Sequence, residues 1–334
     1  MRSDYAMETV PCPLCGADEY AVVIAQAKEL YNGMEEYFDV VRCSECSMVW
    51  TNPRPTPETI GYFYPDSAGY FQPSKDVTNP AGGLDTAMAA FLEREFGYSS
   101  MGSRGGIVVR CIPTPLLRRR ARITHIPRWV PGGRILDIGC SWGRYLASMR
   151  ALGWAVDGIE PHEPSAEFAR TELGIENIRL GTVEEIPLEP GAYDVIQGSM
   201  VLEHVHAPRD VLAKLHTGLR HDGQLILAVP DFSGLEARLF GRNAYTLQVP
   251  EHLNHFTPRT ARRMLDLAGF RVDRIVHHHF ERDWIAGLEY ANASPTLLRV
   301  VKQRHVRRFL VRPAVYLQGI LGMTSRMSIY ASPL

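Results

Sequence analysis

The stretch that decides the fold of this chain is Arg134-Ile135-Leu136-Asp137-Ile138-Gly139-Cys140-Ser141-Trp142-Gly143-Arg144-Tyr145-Leu146. A short apolar run ends in an acid, passes through two glycines and continues with apolar residues at helical spacing. This pattern predicts a strand, a tight turn and a helix. Gly139 and Gly143 let the backbone approach a ligand closely, and the new helix presents free N–H groups to it. The sequence therefore predicts a nucleotide-type ligand site at this turn.

The residues around the turn argue against two common phosphate sites. No lysine follows the glycines, as one does in a phosphate-binding P-loop. Asp137 precedes the first glycine, where its carboxylate would repel the pyrophosphate of a dinucleotide. An acid at this position suits a ligand with positive charge. The segment resembles motif I of class I S-adenosylmethionine-dependent methyltransferases, whose ligand carries an ammonium and a sulfonium group, although Ser141 stands where that family usually has glycine.

A second acid follows at the expected distance. Residues 155–160 read as a strand that begins after the Gly153 helix cap and ends at Glu160. Glu160 lies about 20 residues beyond the glycine turn, the offset at which an acid in such folds accepts hydrogen bonds from ribose hydroxyls. The resemblance implies S-adenosyl-L-methionine as the cofactor, with Val183 and Glu184 beside its adenine. The implied cofactor site comprises Asp137, Gly139, Cys140, Ser141, Gly143, Glu160, Pro161, Val183, Glu184, Ser199 and Met200.

Length and composition set the broad class. A chain of 334 residues with 45% hydrophobic content can bury a sizeable core, and its length suggests about two domains. The formal net charge of −1 gives no overall field that would recruit nucleic acid or a membrane. No signal segment is recognisable, and no apolar run reaches the roughly 18 residues of a membrane span. We therefore expect a cytoplasmic, thiol-reducing location.

Four cysteines near the start of the chain form two Cys-x-x-Cys pairs, Cys12 with Cys15 and Cys43 with Cys46. Two such pairs at this separation supply four thiolates for a tetrahedral Zn²⁺, which a reducing compartment favours over disulfides. No open ligand position is indicated, so the zinc should be structural. A redox pair in a thioredoxin-like fold is disfavoured because no βαβ pattern surrounds either pair.

The chain is predicted to have three parts. Residues 1–55 form the zinc-binding, zinc-ribbon-like module, and the proline-rich run 52–57 marks its stiff exit. Residues 56–130 form a helical linker or substrate-lid region, and residues 131–334 form the domain that binds S-adenosylmethionine. This arrangement resembles zinc-containing sugar C-methyltransferases. The resemblance implies a Rossmann-like α/β fold with a mostly parallel seven-stranded sheet of order 3-2-1-4-5-7-6, and it implies that Tyr64 or Tyr70 enters the active site.

The methyltransferase pattern continues after the second strand. Tyr193 to Gln197 predicts the fourth strand, and Leu202-Glu203-His204-Val205 then resembles the family's segment beside the cofactor. The Asn/Asp-Pro-Pro-Tyr motif with which many methyltransferases hold an exocyclic amine is absent there, which argues against an adenine or cytosine N-methylating enzyme. A turn is predicted at residues 221–223, followed by the fifth strand at residues 225–229.

The candidate catalytic segment is Val249-Pro250-Glu251-His252-Leu253-Asn254-His255-Phe256. It precedes the helix start Thr257-Pro258, so it should lie on a loop at the strand ends, where open α/β sheets bind substrates. It resembles the Glu-His-Leu-x-x-Phe segment of the sugar C-methyltransferases, in which the glutamate and histidine act as bases. The resemblance thus implies Glu251 and His252 as the base, with His255 as a further candidate.

Two other interpretations of the histidines stay open. His252 could instead be a hydrogen-bonded loop histidine that shapes the lid. His204 could contribute the base, and Glu203 with His204 also resembles a pair in ubiquinone-pathway O-methyltransferases for which a metal ion has been proposed.

The end of the chain is basic and helical. Residues 295–322 alternate leucines and other apolar residues with arginines. Such a stretch could lie on a membrane surface or dock a lipid-linked sugar, or it could form a helix pair that covers the sheet. We expect these residues to form the helix pair that covers the sheet, with residues 327–331 as the closing strand.

The predicted function is methyl transfer from S-adenosylmethionine to a carbon or oxygen of a small molecule, expected to be a nucleotide-linked sugar or a natural-product intermediate. One alternative is an rRNA base methyltransferase with an RNA-binding zinc module. That function calls for a basic module, yet residues 1–50 contain nine Asp and Glu against three Lys and Arg. Another alternative is a non-catalytic scaffold that binds the cofactor. No nucleic-acid partner is expected, and the oligomeric state is left open.

Overall fold

The computed structural model describes residues 5–65, 86–98 and 125–334, and only the backbone of residues 86–90. Of the predicted linker region 56–130 it describes a 3-10 turn at Ile60–Phe63 and helix α1 at Thr86–Phe96. The candidate Tyr70 lies outside the described residues. The division of the chain at residues 55 and 130 stays a prediction.

The N-terminal residues form two small sheets. Their strands are β1 Met7–Glu8, β2 Tyr20–Lys28, β3 Tyr37–Cys43, β4 Val49–Thr51 and β5 Arg54–Pro55. Strands β1 and β5 pair with each other, and β2, β3 and β4 pair in sequence as an antiparallel sheet. Cys12 and Cys15 lie between β1 and β2, whereas Cys43 is the last residue of β3 and Cys46 lies between β3 and β4.

A seven-stranded sheet forms the centre of the molecule. Its strands are β6 Arg134–Ile138, β7 Ala155–Glu160, β8 Ile178–Leu180, β9 Tyr193–Ser199, β10 Leu219–Pro230, β12 Phe270–His277 and β13 Arg326–Pro333. The spatial order is β12-β13-β10-β9-β6-β7-β8. If the seven strands of this sheet are numbered 1 to 7 along the chain, the order from β8 to β12 is 3-2-1-4-5-7-6. The last strand, β13, is antiparallel to both of its neighbours. The predicted order is confirmed.

Strand β11, the two residues Asn254–His255, does not join the central sheet. It pairs antiparallel with β4, so that Asn254 faces Trp50 and His255 faces Val49. Two residues of the loop predicted to carry catalysis therefore form the fourth strand of the cysteine module's sheet.

Helices connect and cover the strands. They are α2 Arg144–Ala151, α3 Glu163–Thr171, α4 Pro208–Gly218, α5 Leu235–Phe240, α6 Pro258–Leu267, α7 Glu281–Tyr290, α8 Pro295–Lys302, α9 Arg304–Val306 and α10 Arg312–Ile320. A π turn at Arg307–Val311 joins α9 to α10. Within the described ranges, no helix is long and apolar enough to cross a membrane.

The glycine turn forms as its sequence predicts. Strand β6 ends at Ile138, and helix α2 starts after Gly143, which has a φ of 75°. Gly139 has a φ of 66°, and a Cβ there would lie 2.6 Å from the Val201 side chain. A Cβ at Gly143 would lie 2.9 Å from the Ala169 side chain, so both positions need glycine for conformation and for space.

One local prediction was wrong. Residues 221–223, His-Asp-Gly, were expected to form a turn before the fifth strand, but β10 is continuous from Leu219 to Pro230. The pairing of β10 with β9 shifts register between Leu219 and Gln224. The turn-forming residues are therefore accommodated as an irregularity within a strand, a site where Gly is tolerated because the ladder is already broken.

The cysteine module and the central sheet share one hydrophobic core. Cys12, Cys43 and Trp50 are buried in the same cluster as Leu136 and Ile138 of β6. Trp50 has no exposed surface, and the ring of Tyr20 packs edge-on against it at 5.5 Å. We therefore expect the module and the sheet to unfold together.

The substitution Trp50→Ala should destabilise the whole chain by about 3–5 kcal/mol, because it removes a fully buried indole and leaves a cavity. Urea denaturation followed by circular dichroism measures the change. Val22→Ala, on an exposed position of the same sheet, is the control and should change stability by less than about 1 kcal/mol. Two separate unfolding transitions in the wild type would contradict a shared core.

Candidate functional site

Five neighbouring parallel strands of the central sheet end at one edge. Strands β6, β7, β8, β9 and β10 run in the same direction, so their carboxyl ends meet there. Asp137 lies near the end of β6, Glu160 ends β7 and Ser199 ends β9. The structure therefore brings together the two acids that the sequence predicts for the cofactor.

Glu160 is tied to the glycine turn. Its Oε2 accepts a hydrogen bond from the backbone N–H of Ser141 at 2.7 Å, and its Oε1 accepts one from the N–H of His162 at 2.9 Å. Burial raises the pKa of Glu160, although these two N–H groups oppose the effect. Burial and the nearby Glu160 charge raise the pKa of Asp137 well above its ordinary value. Two buried acids at the ends of adjacent strands favour a cationic ligand, which would stabilise their ionised forms.

The other residues predicted for the cofactor occupy the same edge in different ways. Cys140 is buried beneath the turn, whereas Ser141 is half-buried with a φ of 49°. Pro161 and Ser199 are exposed at strand ends. Met200 has a φ of 59° and donates its N–H to the carbonyl of β10 residue 228. The left-handed conformations mark sharp changes of chain direction around the pocket.

The loop predicted to touch adenine has one side chain already engaged. Val183 is buried, and the Oε1 of Glu184 accepts hydrogen bonds from the backbone N–H groups of His206 and Ala207, at 2.9 and 3.1 Å. These groups lie at the start of helix α4, where a carboxylate is favoured. The carboxylate of Glu184 thus stabilises a helix end, and the adenine contact of this loop stays a prediction.

The candidate catalytic loop is held from two sides. The backbone N–H groups of Leu253 and Asn254 donate to the carbonyl of Glu203, at 2.8 and 3.0 Å. On the other side, the hydroxyl of Thr51 donates to the carbonyl of His252 at 2.8 Å. Residues 251–256 are all buried. The loop is therefore a fixed part of the site.

His252 has the geometry of a neutral base. Its Nδ1 lies 3.0 Å from the carbonyl oxygen of Thr246, and because a carbonyl can only accept, Nδ1 carries the proton. The lone pair is then on Nε2, which is buried and has no hydrogen-bond partner among the described residues. Burial and the neighbouring histidines lower the pKa of His252 well below its ordinary value. The imidazole is therefore neutral at working pH and can accept a proton from a ligand.

His204 stands beside His252, and Tyr64 contacts His204. The rings of His204 and His252 meet edge to face with centroids 4.7 Å apart. The Nδ1 of His204 lies 2.7 Å from the hydroxyl of Tyr64 and 2.9 Å from the carbonyl oxygen of Glu251. Burial lowers the pKa of His204 to about 4. Of the other predicted catalytic candidates, His204 thus adjoins His252, and Tyr64 adjoins His204.

Two glutamates complete this cluster. Both carboxylate oxygens of Glu203 are buried without a hydrogen-bond partner in the described structure, and burial raises the pKa of Glu203 to about 8. Burial also raises the pKa of Glu251 to about 8, and its Oε1 accepts from the side-chain amide of Asn32 at 2.8 Å. Asn32 comes from the N-terminal module, and nothing in the sequence pattern indicates this contact.

The same cluster has the donors of a cation site. One ligand atom each from Glu203, His204 and His252 lie within 4.8 Å of one another. A carboxylate and two imidazoles suit several divalent transition metals, and the same three groups suit proton transfer. His255 lies outside this group of three: its Nε2 is 3.1 Å from the Thr51 hydroxyl, and burial lowers its pKa to about 3.

Arg326 is a charged residue of this edge that the sequence did not indicate. It makes two hydrogen bonds to Asp283, at 2.7 and 3.1 Å, and its guanidinium lies 5.7 Å from the ring centroid of Tyr245. Its positive charge lowers the pKa of Glu203, against the larger effect of burial. Arg326 therefore favours a negative charge within the cluster.

The four N-terminal cysteines converge as predicted. The sulfurs of Cys12 and Cys46 are 3.4 Å apart, and those of Cys15 and Cys43 are 3.5 Å apart. All four sulfurs lie within 4.8 Å of one another. A tetrahedral Zn²⁺ with bonds of about 2.3 Å separates its sulfurs by about 3.8 Å, whereas a disulfide bond is about 2 Å long. The four thiols therefore fit a metal and not two disulfides.

Comparison with known protein families finds a match for one part of the chain. Residues 112–275 match the family model of a methyltransferase domain. Together with the order of the central sheet, this match identifies a Rossmann-like methyltransferase fold.

Individual relatives match over shorter stretches. The chain is 32% identical over 157 residues to an uncharacterized protein of transposon TN4556 from Streptomyces fradiae, which covers 44% of this chain and 46% of that protein. It is 30% identical over 163 residues to a mitochondrial ubiquinone biosynthesis O-methyltransferase from Schizosaccharomyces pombe, which covers 46% of this chain and 56% of the relative. The chain thus spans about half the length of these curated relatives.

The chain is also similar to solved structures, at low identity. An S-adenosylmethionine dependent methyltransferase from Mesorhizobium loti has a TM-score of 0.43 and 17% identity, with 66% of this chain and 96% of that chain covered. Geranyl diphosphate C-methyltransferase from Streptomyces coelicolor has a TM-score of 0.40 and 18% identity, with 61% and 73% covered.

The cysteine cluster generates a test of metal content. Cys43→Ser should lower bound zinc from about one equivalent to below half, because three thiolates hold the ion less tightly than four. Elemental analysis of the purified chain measures the change, and Cys140→Ser, a buried cysteine outside the cluster, is the matched control. Wild-type protein that contains no zinc after expression in zinc-supplemented medium would contradict the assignment.

Proposed function

We propose that this chain, whose residues 112–275 match a methyltransferase domain, transfers a methyl group from S-adenosylmethionine to a small molecule. The observation that carries the proposal is the pair of buried carboxylates, Asp137 and Glu160, at adjacent strand ends around the glycine turn. S-adenosylmethionine brings two positive charges and a ribose diol, which match two acids at this spacing.

In the proposed complex each part of the cofactor has its own residues. Asp137 with the turn 139–143 holds the methionine half, and Glu160 accepts hydrogen bonds from the ribose. The loop at Val183 and Glu184 lies along the adenine, and residues 199–200 close the pocket at the end of β9. Zn²⁺ on the four cysteines is structural, since the cluster lies in the shared core.

The cofactor supplies a methyl group already activated on sulfonium. The protein must therefore align the acceptor atom with that methyl and remove its proton. We assign proton removal to the Nε2 of His252, whose lone pair is free and buried. Glu203, when ionised, stabilises the imidazolium that forms, while His204, Tyr64 and Glu251 fix the geometry around it.

The acceptor is proposed to be a small molecule with a nucleophilic oxygen or carbon. Relatives named as ubiquinone biosynthesis O-methyltransferases support a small acceptor. A small pocket lies beside the catalytic loop and is lined partly by Tyr31, Tyr245, Tyr290 and Gln248. Aromatic faces with an amide suit a sugar or a ring-containing natural product. A nucleotide-linked sugar or a natural-product intermediate is the substrate class we propose.

Measurement of cofactor binding tests the proposed role of the buried carboxylates Asp137 and Glu160. Asp137→Asn and Glu160→Gln should each weaken S-adenosylmethionine binding by about 10- to 100-fold, because each removes a charged partner of the ligand. Isothermal titration calorimetry measures the affinity. Glu163→Gln, an exposed acid three residues beyond Glu160, should leave it unchanged. Absence of binding to the folded wild-type protein would refute the proposed function.

The proton-transfer assignment makes a separate prediction. His252→Asn keeps a donor toward the Thr246 carbonyl but removes the Nε2 lone pair, so turnover should fall by about 10²- to 10⁴-fold while cofactor affinity is retained. A screen of sugar nucleotides and phenolic compounds with radiolabelled cofactor supplies the assay. His221→Asn, at an exposed position of β10, is the control. Unchanged turnover in His252→Asn would assign the base elsewhere.

The pH profile distinguishes the two glutamates. Burial places the pKa of both near 8, so each is protonated at neutral pH and ionises above it. If ionised Glu203 supports catalysis, turnover rises with pH through about 8, and Glu203→Gln abolishes this rise while Glu251→Gln retains it. The reverse pattern would assign the rise to Glu251.

A further inference from the structure

The charged Lys, Arg, Asp and Glu side chains of the segment from residue 291 to residue 322 are all positive. It contains six Lys and Arg and no Asp or Glu, although the whole chain has a net charge of −1. Arg307, Arg312 and Lys302 form ion pairs with the preceding helix α7, at Glu281 and Glu289. The remaining three, Arg299, Arg304 and Arg308, are exposed and add positive charge at the surface.

The outer face of helix α10 is apolar. Tyr316, Leu317, Ile320 and Leu321 are 48%, 57%, 65% and 62% exposed. At 100° per residue these four positions fall within one arc of about 140°. The helix therefore presents a continuous apolar stripe to solvent in the described structure.

The opposite face of α10 is attached to the protein. Val315 and Gln318 are buried, and the side-chain oxygen of Gln318 accepts a hydrogen bond from the indole N–H of Trp284 at 3.0 Å. The amide of Gln318 donates to Glu236 at 2.7 Å. Because the inner face is fixed in this way, the exposed stripe is not needed for packing against the sheet.

Further apolar side chains extend the stripe. Phe309 and Leu310, in the π turn before α10, are 67% and 66% exposed. Of the twenty large apolar side chains that are exposed in the described ranges, ten lie between residues 280 and 323. A concentration of this kind, next to basic residues, marks an interaction surface.

We propose that residues 295–321 form a docking surface for an anionic phospholipid bilayer. The apolar stripe would enter the boundary between headgroups and acyl chains, and the arginines would meet the lipid phosphates. A nucleic acid would leave the apolar stripe in water, and a second copy of the chain would oppose two positive surfaces. The proposal stands independently of the methyl-transfer chemistry.

The surface lies on the same side of the fold as the candidate site. The ring of Tyr316 is 5.0 Å from that of His279, two residues after the end of β12. Strand β12 is antiparallel to β13, which is antiparallel to β10, so β12 ends at the edge where Asp137 and Glu160 lie. Docking would therefore bring this edge close to the bilayer.

Vesicle co-sedimentation tests the proposal. At low salt the wild-type chain should pellet with vesicles of phosphatidylcholine plus phosphatidylglycerol and remain in solution with phosphatidylcholine alone. Added salt should weaken binding, because it screens the charges. Leu317→Glu/Ile320→Glu and, separately, Arg299→Glu/Arg304→Glu/Arg308→Glu should each reduce the bound fraction at least about tenfold.

Matched controls come from helix α6. Leu267→Glu replaces an equally exposed leucine, and Arg262→Glu/Arg263→Glu replaces exposed arginines; both should bind vesicles like the wild type. Circular dichroism and cofactor affinity verify that every variant is folded. A wild type that stays in solution at low salt overturns the proposal, as does equal loss of binding in the α6 controls. A dimer in sedimentation velocity that Leu317→Glu/Ile320→Glu dissociates would assign the surface to a second copy.

Discussion

The pairing of β11 with β4 is the constraint on which the candidate site depends. It joins Asn254 and His255 to Trp50 and Val49, and so attaches the base-bearing loop to the cysteine module. On its other side the same loop donates two backbone hydrogen bonds to the carbonyl of Glu203. The loop is thereby fixed between two sheets, and His252 is held in a dry environment where its imidazole stays neutral. The small module is part of the site's framework and not an appendage to it.

The local elements were predictable because their signals are local. The strand, glycine turn and helix around Gly139 follow from residue spacing and from the conformations that glycine permits. Helix α6 starts at Thr257-Pro258 with a capping box, as a Thr-Pro pair predicts. The sheet order was not derivable from spacing alone; it came with the family resemblance, and the structure confirms it.

Contacts between distant residues could not be derived in this way. Asn32 reaches Glu251 across 219 positions, and Arg326 pairs with Asp283 across 43, without any periodic signal. The Asp-Gly pair at residues 222–223 carries a genuine turn signal, yet pairing with β9 on either side of it keeps the strand continuous. Likewise, Glu184 has the position of a ligand contact, but its carboxylate stabilises the start of α4. Tertiary context decided each of these cases.

The buried glutamates of the site have a consequence for the free energy of folding. Glu203 and Glu251 have a pKa of about 8 in the folded chain against an ordinary value of 4.5, so the folded state holds more protons than the unfolded state between these limits. The free energy of unfolding therefore decreases as the pH rises from about 4.5 to about 8. Ionisation of the two glutamates thus destabilises the folded chain in mildly alkaline solution. A bound cation or hydrogen-bond donor would reduce this destabilisation, because it would stabilise the ionised carboxylates.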